Sequence, residues 1–207
     1  MLPSDPDIVL SYEGRVPDEI IENFKALVAT EGLNLIIDER LSTRAYAGVQ
    51  WLMPTVIAAY IAKPYFESFL TEAGKDHYNL VKKGAKAIAQ KVRAITLTRL
   101  GTPGKVKPQD PYSPVFSIYC DKDGGGKIKF LIPGNVSEAD METAMEAGLN
   151  FIEDYRWKRV EASLFADVSE QPRTGSITLV AYDPQTKKVS VIDPFKCLLP
   201  PNGNKED

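Results

Sequence analysis

The spacing of apolar residues over the first forty positions predicts a strand, a helix and a second strand. Residues 7–12 form a short apolar run that is typical of a buried strand. Pro17, followed by two acidic residues, suits the first turn of a helix, and Gly32 suits its end. A second strand at 33–37 completes a βαβ unit, whose strands run parallel with a right-handed crossover. The helix between them has one apolar face, formed by Ile20, Phe24, Leu27 and Val28.

Residues 49–62 are the most apolar stretch of the chain and carry no charge. We interpret them as a buried core helix, because a bilayer-spanning helix takes roughly 20 apolar residues. This interpretation requires Ile57 and Ile61 to lie inside the protein. Lys63-Pro64 ends this run and begins a short helix that ends near Gly74. A longer helix follows, so that the helical insertion covers about 49–93. The inner face of the longer helix is formed by Tyr78, Val81, Ala85, Ile88 and Val92.

The second half of the chain is dominated by predicted hairpins. Residues 94–100 alternate between apolar and polar as a strand does, and the proline- and glycine-rich segment 101–114 reads as a long loop or a linker. Two pairs of short strands then flank turn sequences, and each pair predicts a β-hairpin. These strands are 115–120 with 127–132, and 176–182 with 188–192. The first hairpin should bury one face, formed by Phe116, Ile118, Cys120, Ile128, Phe130 and Ile132.

A long helix is predicted between the two hairpins. Ser137 can cap its N-terminus, and Asp140 three residues later forms a short version of the capping box. The inner stripe of this helix is formed by Met141, Met145, Leu149, Ile152 and Tyr155.

These elements predict an α/β or α+β fold. It combines the N-terminal βαβ unit and its helical insertion with a mixed sheet that two hairpins extend, and the long helix packs on that sheet. We favour a single domain over 1–207, because the strand at 94–100 would need neighbours from both halves. The alternative is an α/β subdomain at 1–100 and an α+β subdomain at 115–199, joined by 101–114.

Composition and charge narrow the function classes. The chain has 207 residues and a formal net charge of −3, so it has no overall positive field to attract nucleic acid or an anionic membrane. Two cysteines, Cys120 and Cys197, are too few for a disulfide framework, and no signal peptide is visible. We therefore expect a cytoplasmic protein whose partner is a protein or a small-molecule ligand. Nucleic acid is not expected as a partner, nor is a membrane.

Charged residues follow both strands of the βαβ unit. Glu13 comes after the first strand, and Asp38 and Arg40 come after the second. Because the carboxyl ends of parallel strands meet at one edge of a sheet, these side chains should lie on the same edge. They could bind a ligand or act as acid and base, although charges at strand ends are often simply solvated.

The only histidine, His77, lies in a segment dense in charges and aromatics. Its unperturbed pKa is close to neutral, so it could act as a base if a carboxylate such as Glu72 oriented it. The alternative is a surface or helix-capping histidine. A single histidine also excludes the usual His-rich zinc sites, and we predict no metal.

Aromatic side chains are concentrated over 51–78, where they could line a pocket or a partner surface or simply form core. Tyr65 and Tyr78 in this region are candidate ligand-binding residues. Their polar tips need hydrogen-bond partners if they are buried.

The opening strand, helix and second strand over 7–38, with Tyr65-x-x-Ser68, resemble the first part of a TIR domain. The resemblance covers roughly the first 75 residues and implies that a carboxylate carries NAD cleavage, with Glu72 as the nearest match. Glu72 is out of the family's register, however, and the second half of the chain has no counterpart in the family.

Three functions follow as hypotheses. Because the sequence contains no complete catalytic motif, the leading one is a non-catalytic interaction or effector-type domain. The second is a TIR-like enzyme that cleaves a nucleotide such as NAD. The third is a membrane-active protein whose apolar helix at 49–70 leaves the core. No cofactor is identified.

Overall fold

The computed structural model describes residues 5–41, 55–69, 74–92, 111–134, 136–170 and 177–193. The predicted βαβ unit is present at the N-terminus. Strand β1 (Ile8–Glu13) is followed by helix α1 (Asp18–Val28) and strand β2 (Leu35–Arg40). β1 and β2 are parallel, with Ile8 opposite Leu35 and Glu13 opposite Arg40. Both strands continue beyond their predicted ends, so the charged residues expected after them belong to the strands themselves.

All seven described strands form one mixed sheet in the order β2-β1-β3-β4-β5-β6-β7. The remaining strands are β3 (Ile57–Ile61), β4 (Tyr112–Asp121), β5 (Lys127–Pro133), β6 (Ile177–Asp183) and β7 (Lys188–Val191). Neighbouring strands alternate between parallel and antiparallel across the sheet. The fold is therefore of the α/β or α+β class, as predicted, and strands from both halves of the chain lie in a single sheet. The division into domains stays a prediction.

The interpretation of residues 57–61 as part of a core helix is wrong. They form strand β3 in the middle of the sheet, antiparallel to β1 and parallel to β4. Ile57 and Ile61 are nevertheless buried, at 0% and 1% exposed, as the interpretation required. The two partly exposed positions of β3 are occupied by Ala58 and Tyr60, so its sequence lacks the polar alternation that marks a strand with one wet face. Residues 49–54 lie outside the described part of the chain.

The other helices are largely as predicted. A π-helix (Tyr65–Phe69) follows β3, and α2 (Gly74–Val92) buries the predicted inner face. Helix α3 (Glu138–Arg156) also buries its predicted stripe, and the Ser137 side chain accepts a hydrogen bond from the Asp140 amide as its N-cap. None of the helices within the described ranges is both long and apolar enough to cross a membrane.

Both predicted hairpins are confirmed, as β4–β5 and β6–β7. The residues assigned to the buried face of the first hairpin are all at most 2% exposed. Helix α4 (Ala162–Glu170) is an element that the sequence analysis did not predict. The strand predicted at 94–100 and most of the loop at 101–114 lie outside the described residues.

Helices α1, α2 and α3 share one hydrophobic core with one face of the sheet. The closest approach is at Gly148 of α3, where an added Cβ would lie 2.5 Å from the ring of Phe130 on β5. The opposite face of the sheet carries a smaller apolar cluster around Leu131, Leu179 and Ala181. It also carries polar side chains that are described below.

Candidate functional site

The charged residues at the ends of β1 and β2 hold the sheet together rather than line a described cavity. Glu13 is 2% exposed and pairs with Arg15, while the Arg40 guanidinium donates to the backbone carbonyls of Thr55 and Val56, at 2.6 and 3.4 Å. Glu13 and Arg40 are thus neighbours, as predicted. Asp38, two residues before Arg40, is exposed and accepts a hydrogen bond from the Ser11 hydroxyl at 2.9 Å.

A buried polar cluster lies beside these residues on the face of the sheet opposite the helices. The Thr55 and Ser117 hydroxyls are 2.6 Å apart, and Thr55 also donates to the carbonyl of Ile57. Lys129 of β5 is fully buried, with its ammonium group 5.5 Å from the ring centre of Tyr119. Desolvation and the nearby Arg40 charge lower the pKa of Lys129 to about 7. No sequence pattern marked this lysine, since its alternating position in the hairpin predicts an exposed side chain.

His77 is the centre of a buried hydrogen-bond network. Its Nε2 lies 2.7 Å from the Val28 carbonyl and its Nδ1 lies 3.0 Å from the Tyr65 hydroxyl. A carbonyl can only accept, so Nε2 donates to Val28, and in this tautomer of the neutral ring Nδ1 accepts from the phenol. Burial raises the pKa of Tyr65, which keeps its proton for this bond. The network holds α2 to the end of α1 and to the π-helix.

The neighbours of His77 that were expected to share its site are arranged differently. Tyr78 is buried and donates to the carbonyl of Leu149 at 2.7 Å, so it joins α2 to α3. Glu72 lies outside the described residues, as does the side chain of Ser68.

We expect His77→Gln to lower the free energy of unfolding by about 2 kcal/mol, because it disturbs two buried hydrogen bonds at once. Urea denaturation at pH 7 measures this loss. Lys83→Gln on the exposed side of the same helix is the control, with an expected change below about 0.5 kcal/mol. Equal effects of the two substitutions would show that the network contributes nothing.

A cleft of about 540 Å³ lies at the end of the sheet opposite to Glu13 and Arg40. It lies where β3 and β4 end, and these two strands are parallel. The carboxyl ends of parallel strands are the usual place for ligands in α/β sheets, and the volume is in the range of small-molecule sites. The C-terminal end of α3 closes the cleft from one side. The lining residues are Lys63, Phe66, Glu67, Asp123, Gly124, Arg156, Trp157 and Lys158.

The carboxylate of Asp121 at the end of β4 joins the segments on either side of the cleft through hydrogen bonds. One of its oxygens accepts from the Tyr60 hydroxyl at 2.5 Å, and the other accepts from the backbone amide of Lys63 at 2.7 Å. Burial, and then the hydrogen bond to Asp121, raise the pKa of Tyr60. Arg156 donates to the Asp121 carbonyl at 2.7 Å and to the Asp123 carboxylate at 3.2 Å. The end of β3, the β4–β5 turn and the end of α3 are thereby tied to one another.

The cleft wall combines positive charge with aromatic surface. Three cations and two carboxylates line it. Lys63 pairs with Glu67 at 3.2 Å and Arg156 pairs with Asp123, while the structure places no carboxylate of the described residues in a salt bridge with Lys158. Trp157 is 45% exposed, which is unusual for the largest apolar side chain. This arrangement can bind an anion that carries an apolar part.

None of the cleft residues was a candidate from the sequence. The rule that sites lie at the carboxyl ends of strands was applied to β1 and β2, because β3 was interpreted as a helix. A second signal was available in Trp157 and Lys158, which follow directly after the inner stripe of α3.

Within the described ranges, no three His, Cys, Asp or Glu side chains are grouped so that they could hold a metal ion. Comparison of the chain with protein-family models, with curated proteins and with solved structures finds no match.

Proposed function

We propose that this chain is a non-catalytic binding domain that takes a small molecule in the cleft between the ends of β3, β4 and α3. The observation that carries the proposal is a preorganised cleft at the carboxyl edge of a parallel strand pair, with an exposed tryptophan in its wall. The hydrogen bonds of Asp121 and Arg156 join the elements that line the cleft to one another, and a wall fixed in this way lowers the entropic cost of binding.

The positions of His77 and Glu13, which were candidates for catalysis, agree with a non-catalytic function for the cleft. Both ring nitrogens of His77 are within hydrogen-bond distance of protein groups, and Glu13 is buried against Arg15. Neither residue lines the cleft. A TIR-like nucleotide cleavage would need a carboxylate, and among the described residues the cleft offers Glu67 and Asp123.

Binding can be tested by nuclear magnetic resonance with the tryptophan indoles labelled with ¹⁵N. The chain has two tryptophans, so Trp157→Phe assigns the signal of Trp157. We expect members of a mixed set of cationic, neutral and anionic fragments to shift the Trp157 signal, and to be recovered unchanged. If no fragment moves that signal, the proposal is wrong. Release of product from NAD above a protein-free blank, abolished by Glu67→Gln, would make the protein an enzyme instead.

A further inference from the structure

We infer that the ligand of the cleft is an organic phosphate in which the phosphate group is joined to a planar ring, as in a mononucleotide. The inference rests on the proposed function and names the chemistry of its ligand. It is carried by the side chains that the structure brings together at this edge of the sheet: an exposed indole, a fixed phenyl ring and lysines from two separate segments.

The aromatic residues of the cleft provide a surface for a ring. Phe66 is 3% exposed and is held edge-on between Tyr65 and Tyr78, with ring centres at 5.2 and 5.7 Å. It therefore forms a rigid part of the wall. Trp157 is the accessible ring, since nearly half of its surface faces solvent. An exposed indole beside ammonium groups is suited to stacking with a planar group that is itself attached to negative charge.

The charge of the cleft favours an anion. Lys63 comes from the segment after β3, and Lys158 comes from the segment after α3, so they approach the cleft from different elements. Arg156 adds a guanidinium whose side chain is only 4% exposed and whose Nε has no hydrogen-bond partner among the described residues. Cations at the end of a helix also offset the partial negative charge there. That role explains Arg156 and Lys158 but not Lys63, which instead pairs with Glu67 four residues further on.

The donors that remain for a ligand favour phosphate over carboxylate. Carboxylates and phosphates are both often held by two parallel bonds from one guanidinium, but a carboxylate has only two oxygens and one charge to offer if that fork is closed. The Nη2 of Arg156 is already committed to the Asp121 carbonyl and to Asp123, so this fork is not open. Two lysine ammonium groups act instead as separate point charges. A phosphate monoester has three terminal oxygens and carries roughly −1.5 to −2 at neutral pH, so it can meet both lysines at the same time.

The backbone at the rim of the cleft is consistent with a close approach. Lys158 has a φ of 54° and Gly124 has a φ of 78°, both in the left-handed region. Nothing lies within 4 Å of a Cβ added to Gly124, so the side of the cleft next to this glycine is open. Non-glycine residues in this conformation are uncommon and often occur at functional sites.

Isothermal titration calorimetry with AMP, adenosine and inorganic phosphate tests the inference. We expect AMP to bind at least about tenfold more tightly than adenosine or phosphate, because only AMP engages both the indole and the lysines. Trp157→Ala should weaken AMP by about tenfold, as loss of a stacking platform does. Lys158→Asn should weaken AMP by a similar factor and reduce the dependence of its affinity on salt, since asparagine tolerates the left-handed backbone.

Lys187→Asn is the matched control. Lys187 has a φ of 56° in the β6–β7 turn and does not line the cleft, so this variant makes the same backbone and charge change elsewhere on the protein. Lys187→Asn should leave the affinity for AMP unchanged. At high salt, the wild-type protein and Lys158→Asn should bind AMP with similar affinity, because salt screens the lysine charge.

The outcomes separate this inference from the proposed function. If AMP does not bind while other fragments still shift the Trp157 signal, the ligand class is wrong and the binding function stands. If adenosine binds as tightly as AMP, the role assigned to the lysines is wrong. If neither AMP nor any fragment affects Trp157, both proposals fail. An equal loss of AMP affinity in Lys187→Asn and Lys158→Asn would also overturn the inference, because it would reflect net charge alone.

Discussion

Replacing Lys129 by methionine is expected to remove a cost to stability at neutral pH, on the order of 4 kcal/mol at most, that arises from keeping this buried lysine charged. Lys129 is fully buried in the polar cluster of the sheet, and its pKa is lowered from 10.5 to about 7 by desolvation and by the Arg40 charge. In the unfolded chain the same ammonium group is solvated and binds its proton more tightly. Methionine has a similar length and carries no charge, so the folded state no longer has to desolvate one.

The pH dependence of stability gives this expectation a second measurement. The unfolded chain holds the Lys129 proton up to about pH 10.5, while the folded chain releases it near 7. The full penalty is therefore present below pH 7, and it shrinks as the pH rises towards 10.5. Wild-type protein should gain about 1.5 kcal/mol of stability between pH 7 and 8.5, and Lys129→Met should gain none from this source.

Urea denaturation at half-unit intervals over this range measures both effects. The range stops at pH 8.5 because the buried thiol of Cys120 acts in the opposite direction above it. Burial raises the pKa of Cys120 from 9.0 to about 12, so its contribution to stability is lost as the pH rises beyond 9. Lys188→Met, at an exposed position on β7, is the control and should change neither stability nor its pH profile by more than about 0.5 kcal/mol. If Lys129→Met is less stable than wild type and its stability depends on pH in the same way, the lysine is charged in the folded protein and the expectation is wrong.

Local elements of this fold could be predicted from the sequence because their signals are local. The helical stripe from Met141 to Tyr155 and the Ser137 cap depend on spacings within one element, and both are present. β3 was misread because its neighbours in the sheet, β1 and β4, are far away in the sequence. Those pairings place β3 in the middle of the sheet, and they cannot be seen in the five residues of the strand itself.

The same limit applies to the site. Alternation in the β4–β5 hairpin predicts correctly that Ile128 and Phe130 are buried, and it predicts that Lys129 between them is exposed. Lys129 is buried because the second face of the sheet is covered as well, which is a property of the whole fold. The cleft was missed for a related reason, since it depends on β3 and β4 being parallel neighbours. With 57–61 interpreted as a helix, the sequence predicts no parallel pair of strands at that place.

Removal of Arg156 is expected to lower the free energy of unfolding by about 3 kcal/mol, because it leaves buried groups without their partner. Its side chain is 4% exposed and donates to the Asp121 carbonyl and to the Asp123 carboxylate, at 2.7 and 3.2 Å. In Arg156→Met the carbonyl loses its donor and the end of α3 is no longer tied to the β4–β5 turn. Asp123 is 36% exposed, so water can replace part of its lost bond, and the expected loss lies at the lower end of the range for a broken buried pair.

Arg159→Met provides the comparison that separates burial from charge. Arg159 lies three residues further on, forms salt bridges with both Glu153 and Asp154, and is 52% exposed. Its loss should cost less than about 1 kcal/mol, because exposed ion pairs contribute little. Urea denaturation of both variants measures the difference, and Arg156→Lys should fall between them, since an ammonium group can replace one of the two bonds but not both. Equal losses for Arg156→Met and Arg159→Met would mean that the ties between α3 and the β4–β5 turn do not hold the cleft in shape, and the preorganisation on which the proposed binding depends would be absent.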